Sequence, residues 1–239
     1  MEEALELLKL DWDEGIRSVF ATPHYGEENG YAPNAEVVVR RFGQLQAAAR
    51  ESLPDLQLYL GTEWYCSEQI VERIRRKEAW PMMPSDWYLV EFLEWGDLTE
   101  DGKTILRRLT MMKENGIKTI LAHPERYRAL QQDYDLVRRI CDLGVLLQVN
   151  AYDLYLNQKD ATRNLAQWMA EERLISFLGS DMHGTRPGKR TPKMKEGVQW
   201  LYEHTDAAYA DDVVRRNAER ILGLPSNDGR NQKMAVLCR

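Results

Sequence analysis

Apolar and polar positions alternate between two periods along this chain. Leu5, Leu8 and Trp12 share one face of a predicted helix over 2–14, stopped by Gly15, and Ile16–Ala21 then reads as a strand. The alternation repeats. Helices are predicted over 35–52, about 67–77, 99–115, about 134–143, about 160–172, 192–204 and 208–222. Strands are predicted at Leu56–Gly61, Trp87–Glu91, Lys118–Ala122, Val145–Val149 and Ile175–Gly179. Strands that alternate with helices imply a parallel sheet. The alternation opens on a helix, where a βα barrel opens on a strand.

What ends the strands changes the picture. Val19-Phe20-Ala21-Thr22-Pro23 leads to His24, Ile120-Leu121-Ala122 to His123, and Phe177-Leu178-Gly179-Ser180 to Asp181 and His183. Two further runs end in Glu63 and Glu91. Reactive groups collect at the C-terminal ends of barrel strands, so this pattern points to a metal centre at one end of a closed or nearly closed α/β barrel. Asp181 and His183 are two residues apart, and on an extended segment both point to one side. Imidazole with carboxylate suits manganese, iron or zinc, and oxygen-rich sites favour manganese or magnesium. His204, inside a predicted helix, reads as structural or solvated.

Arg126 follows His123 by three residues, and Arg186 and Arg190 follow His183. Loop arginines beside a metal are suited to two-pronged recognition of phosphate. Trp64, Tyr65, Tyr152 and Tyr155 also follow strand ends, where they can stack on an aryl group or simply pack.

At 239 residues the chain suits one large domain. Its net charge of -6 argues against nucleic acid as the main partner. No apolar run has the length of a membrane span, and the acidic start does not read as a signal peptide. Cys66, Cys141 and Cys238 are odd in number and scattered, which argues against a disulfide framework and makes the cytoplasm the expected compartment. The turn-rich segment after Leu224, residues 225–239, is expected to be a disordered tail.

Taken together, Thr-Pro-His24-Tyr, Gly-Thr-Glu63, Val-Glu91-Phe, Ala-His123-Pro-Glu-Arg126-Tyr, Gln-Val-Asn150-Ala-Tyr and Gly-Ser-Asp181-Met-His183 resemble the polymerase-and-histidinol-phosphatase (PHP) superfamily. Within it they look most like the bacterial manganese-dependent protein-tyrosine phosphatases of capsule and exopolysaccharide operons. The match runs in order over about 1–224. The resemblance implies a distorted (β/α)7 barrel and metal-ligand roles for His24, Glu63, Glu91, His123, Asp181 and His183. It implies two or three ions, manganese first, with iron, zinc or magnesium as alternatives. It gives Arg126 and Arg190 to phosphate, with Arg186 competing for the second place. The implied partner is a phosphotyrosine protein, a bacterial tyrosine autokinase, and family members often form homo-oligomers. A small-molecule phosphatase of the histidinol phosphatase kind and a non-catalytic phosphoprotein-binding domain are the alternatives. A nucleotide or DNA phosphoesterase fits the acidic balance less well.

Members of that family open with a strand carrying Asp-x-His-x-His and a loop with Asp-Asp-Gly, and neither is found here. The expectation is therefore an N-terminally incomplete phosphatase domain over 1–224. Its first strand is missing, the barrel wall carries a gap with exposed strand edges, and stability and activity are reduced.

Overall fold

A computed structural model describes residues 1–26, 30–93, 99–156, 160–185, 192–224 and 234–237. Helix α1 (Glu2–Asp13) leads into β1 (Ile16–Ala21) and β2 (His24–Tyr25). There follow α2 (Ala35–Ser52), β3 (Gln57–Leu60), β4 (Glu63–Tyr65), α3 (Ile70–Arg75), β5 (Trp87–Glu91), α4 (Gly102–Glu114) and β6 (Lys118–Ala122). A 3-10 turn at Pro124–Arg126 leads to α5 (Arg128–Gln132), α6 (Tyr134–Asp142), β7 (Leu146–Asn150), α7 (Ala151–Tyr155), α8 (Asp160–Glu171) and β8 (Ile175–Gly179). Helices α9 (Met194–His204) and α10 (Ala207–Asp211), a π-helical turn at Asp212–Arg216, α11 (Asn217–Leu222) and β9 (Met234–Leu237) complete the described chain.

Short polar side chains set several helix starts. Asn34, Asp101, Asp133 and Asp206 each accept a hydrogen bond from a backbone N–H three residues on, which satisfies a donor the helix itself leaves open.

The sheet has nine strands in the order β2-β4-β5-β6-β7-β8-β9-β1-β3, and its ladders are parallel. Only Thr22 and Pro23 separate β1 from β2, and only Gly61 and Thr62 separate β3 from β4. The backbone bonds Gly61 N–H to Ala21 O (2.9 Å) and Glu63 N–H to Pro23 O (3.2 Å) carry the pairing across both bends. Each pair is thus one bent stave, and the nine strands close into a barrel of seven staves. The α/β barrel inferred from the strand and helix alternation is the observed fold.

The expected gap in the wall is filled. Met234–Leu237, part of the segment expected to be disordered, pairs with β1 from Ile16↔Met234 to Phe20↔Leu237, and with β8 at Gly179↔Leu237. The physical reason is that unpaired edges of β1 and β8 would leave backbone donors and acceptors unsatisfied. A four-residue strand after a polar segment leaves no detectable period in the sequence. The rest of that tail, 225–233 and 238–239, lies outside the described residues, and so does Cys238.

Two cores result. The larger lies between staves and helices and includes Val90, Leu121, Leu147, Ile105 and Leu109. The smaller gathers Phe20, Leu89, Ile120, Ala122 and Phe177 from four strands inside the ring, floored by Met82, Ala218 and Leu222. Each of the valine, leucine, isoleucine, phenylalanine and methionine side chains contributes about 1.5–3 kcal/mol when fully buried. Side chains alternate along a strand, so Glu91 points to the same side as Leu89, toward the ring's interior.

Candidate metal centre

All six predicted ligands fall at the C-terminal end of the staves. His24 opens β2 and Glu63 opens β4, and the two are direct cross-strand partners. Glu91 closes β5, paired with Tyr65. His123 follows β6, while Asp181 and His183 follow β8.

Local backbone aims these groups. His123 and Asp181 have φ of 36° and 45°, in the left-handed region that residues with a side chain seldom adopt. Strain of this kind persists only where its surroundings impose it. His123 N–H donates to Gln148 O (2.8 Å), which fixes the turn. Behind it, the Tyr127 hydroxyl donates to Ala122 O (3.0 Å) and accepts from Phe92 N–H (3.0 Å).

Donor atoms of His24, Glu63 and Glu91 all lie within 4.8 Å of one another. His24 Nδ1 is 2.7 Å from Glu91 Oε1 and 3.5 Å from Glu63 Oε2. At 2.7 Å it still lacks the alignment of a hydrogen bond, as expected of donors aimed at a shared point rather than at each other. His123 Nε2 joins from the other side, 3.1 Å from Glu63 Oε1 and 3.7 Å from Glu91 Oε2. Burial, and after it the neighbouring Glu91 carboxylate, pushes the Glu63 carboxyl up to about 8, with His123 opposing. A buried and a half-buried carboxylate beside two imidazoles form a site short of positive charge. That donor set fits a divalent cation.

Asp181 belongs to the same neighbourhood, since its charge also raises the Glu63 pKa, but its carboxylate faces Arg126. Arg126 Nη1 donates to Asp181 Oδ2 (2.6 Å) and Nε to Asp153 Oδ2 (2.9 Å). Asn150 Nδ2 donates to Asp181 Oδ2 (3.3 Å) and lies 3.5 Å from Asp153 Oδ2. The Asn150 N–H donates to Glu125 Oε1 (3.0 Å). Burial, and then the Asp153 carboxylate, pushes the Glu125 carboxyl well above the usual range. The His183 ring, less buried, holds its Nδ1 2.7 Å from Asp181 O.

The structure thus brings His24, Glu63, Glu91 and His123 into one cluster, with Asp181, His183 and Arg126 beside it. Arg186 and Arg190 lie outside the described residues. Two of the aromatics considered for an aryl substrate are packing groups. Trp64 is fully buried against Tyr25 and Tyr88 and donates to Trp80 O, and the Tyr65 hydroxyl donates to Glu100. His204 is structural, stacked on Trp200. Sequence reasoning missed Asp153 and Tyr31. Asp153 is fully buried in the first turn of α7, three residues after strand-end Asn150, and that spacing was the available signal. Tyr31 is exposed, with its ring 5.0 Å from that of His24, and no sequence signal marked it.

Comparison with known proteins gives a consistent answer. The family model described as capsular polysaccharide synthesis, CpsB/CapC, matches residues 1–223. The tyrosine-protein phosphatase CpsB of Streptococcus agalactiae is 25% identical over 230 residues, covering 93% of this chain and 90% of that protein. CapC of Staphylococcus aureus is 31% identical over 183 residues, covering 77% and 70%. Among solved structures, a chain from the study of YwqE of Bacillus subtilis and CpsB of Streptococcus pneumoniae, described as unique metal-dependent tyrosine phosphatases, superposes with a TM-score of 0.79. The identity there is 20%, over 98% of this chain and 92% of that one. A D-hydantoinase shares the fold more distantly, with a TM-score of 0.53 at 9% identity.

Proposed function

The chain belongs to the CpsB/CapC family of capsular polysaccharide synthesis proteins, and on that premise we propose that it is a metal-dependent protein-tyrosine phosphatase whose active site is the cluster at the strand ends. One observation carries the reading. Four side chains of metal-ligand type converge, Glu63 and His123 buried and His24 and Glu91 half-buried, and a guanidinium fixed by two carboxylates stands beside them.

His24, Glu63, Glu91 and His123 hold the metal, with Asp181 and His183 as further ligands and manganese as the ion. When bound, the ion supplies Lewis-acid activation and a nucleophile at neutral pH. Arg126 neutralises charge on the phosphoryl oxygens through its planar fork, and Arg190 is proposed as the second phosphate contact. The phosphatase domain spans 1–224. The substrate is a phosphotyrosine protein, and the partner a bacterial tyrosine autokinase in the cytoplasm. Among the described residues no helix is long and apolar enough to cross a membrane.

A substrate panel tests this. With manganese, the chain is expected to hydrolyse a phosphotyrosine peptide, to lose that activity to a chelator, and to leave histidinol phosphate almost untouched. Preference for histidinol phosphate, or turnover that survives chelation, would overturn the reading.

A further inference from the structure

Beside the metal cluster lie buried polar groups that it does not use. Asp153 and Asn150 are both fully buried, yet neither is among the ligands. They sit one helical turn apart, at the junction where β7 ends and α7 begins. Asp153 Oδ2 accepts from Arg126 Nε at 2.9 Å, and Arg126 Nη1 reaches Asp181 at 2.6 Å. Asn150 Nδ2 lies between the two acids, 3.5 Å from Asp153 and 3.3 Å from Asp181.

A buried carboxylate is costly unless it is paired and hydrogen-bonded. Here the guanidinium is shared between an acid in the metal neighbourhood and one outside it. Asp181 and Asp153 hold different nitrogens of the guanidinium, so the Nε contact to Asp153 does not depend on where the Asp181 carboxylate turns. The Nε contact also fixes the plane of the fork, which a phosphate must meet edge-on for two parallel bonds.

We propose that Asp153, braced by Asn150, is a positioning residue that holds the Arg126 guanidinium for phosphate. This rests on the phosphatase reading of the same site.

The test is phosphate binding by the manganese-loaded full chain, followed by calorimetry with inorganic phosphate, alongside bound manganese per chain. Asp153→Asn is expected to weaken phosphate binding at least about tenfold, the scale of one charge-assisted hydrogen bond, with manganese content unchanged. Arg126→Ala should regain phosphate affinity when guanidinium ion is added at non-denaturing concentration, and the double variant with Asp153→Asn should not. Should Asp153→Asn fail to fold, Asp153→Glu keeps the charge but moves it by one methylene, and it too should weaken phosphate binding. Wild-type phosphate affinity in either variant overturns the assignment, as does parallel loss of manganese and phosphate. Failure of the phosphatase reading shows separately, as absent turnover by the unsubstituted chain.

Discussion

Exchanging Glu63 for Gln should lower phosphatase activity at least about a hundredfold and, in the same variant, make the metal-free protein more heat-stable at pH 8. The activity loss follows from removing a carboxylate that faces both His24 and His123. Loss of even an outer partner of a metal ligand costs about 10- to 100-fold. The stability gain follows from the raised pKa. Burial and Glu91 push the Glu63 carboxyl from an ordinary value of 4.5 up to about 8. A pKa raised on folding means that the folded state binds the proton more tightly. That contribution is complete below about 4.5 and is lost as pH rises toward about 8. The metal-free chain should therefore show a falling Tm between pH 5 and pH 8. Glutamine cannot ionise, so the variant's decline should be shallower, and the difference between the two chains isolates Glu63. Manganese should reverse the order, because an ion bound only by the folded state stabilises it by an amount that grows with the logarithm of its concentration above Kd. Scanning calorimetry at pH 5 to 8, with manganese and with chelator, reads both effects. Identical slopes in the two chains would overturn the titration argument, and undiminished manganese stabilisation of the variant would overturn the ligand role.

Much of this was legible because strands in a parallel barrel are buried on both faces and end at the functional rim. β1, β5, β6 and β8 have the bounds predicted from their apolar runs, and a polar group at the site stands at or within three residues of the end of each: His24, Glu91, His123 and Asp181. Four features were not legible, for different reasons. β2 and β4 are two and three residues long, too short for any period, though their first residues, His24 and Glu63, were found from what precedes them. β9 exists because two edges need a partner, a demand set by the closed ring and not by its own four residues. The role of Asp181 in gripping Arg126 depends on the turn after β8 at positive φ, which no local pattern around a non-glycine residue announces. The predicted helix over 208–222 is continuous in outline but is divided by a π-helical turn at Asp212–Arg216. Spacing showed which residues would gather at the rim, while their pairing is a property of the tertiary structure.

A single methyl group added on α9 should also reach the site. Gly197 lies in α9, where that helix crosses α7. A Cβ built there would stand 2.6 Å from Ala151 Cβ, 2.8 Å from Ala151 O and 2.9 Å from Ala151 Cα. Two of those three atoms are backbone, so no rotamer change relieves the clash, and the helices must separate. Overpacking of this kind costs about 1–3 kcal/mol. In an open helix the same exchange has the opposite sign, since alanine is favoured over glycine by roughly 0.5–1 kcal/mol. Gly43, within α2 and with nothing within 4 Å of its would-be Cβ, supplies the control. Gly43→Ala should raise Tm while Gly197→Ala lowers it. The second variant should also lose phosphate affinity, because α7 carries Asp153 in its first turn and Ala151 adjoins Asn150. A displaced α7 moves the anchor of Arg126 but none of the ligands on β2, β4 and β5, so manganese content should hold while phosphate binding weakens. If Gly197→Ala matched Gly43→Ala in Tm, the close approach of α9 to α7 would be wrong. If it lost stability but kept full phosphate affinity, the Arg126 anchor would be independent of the packing beneath it.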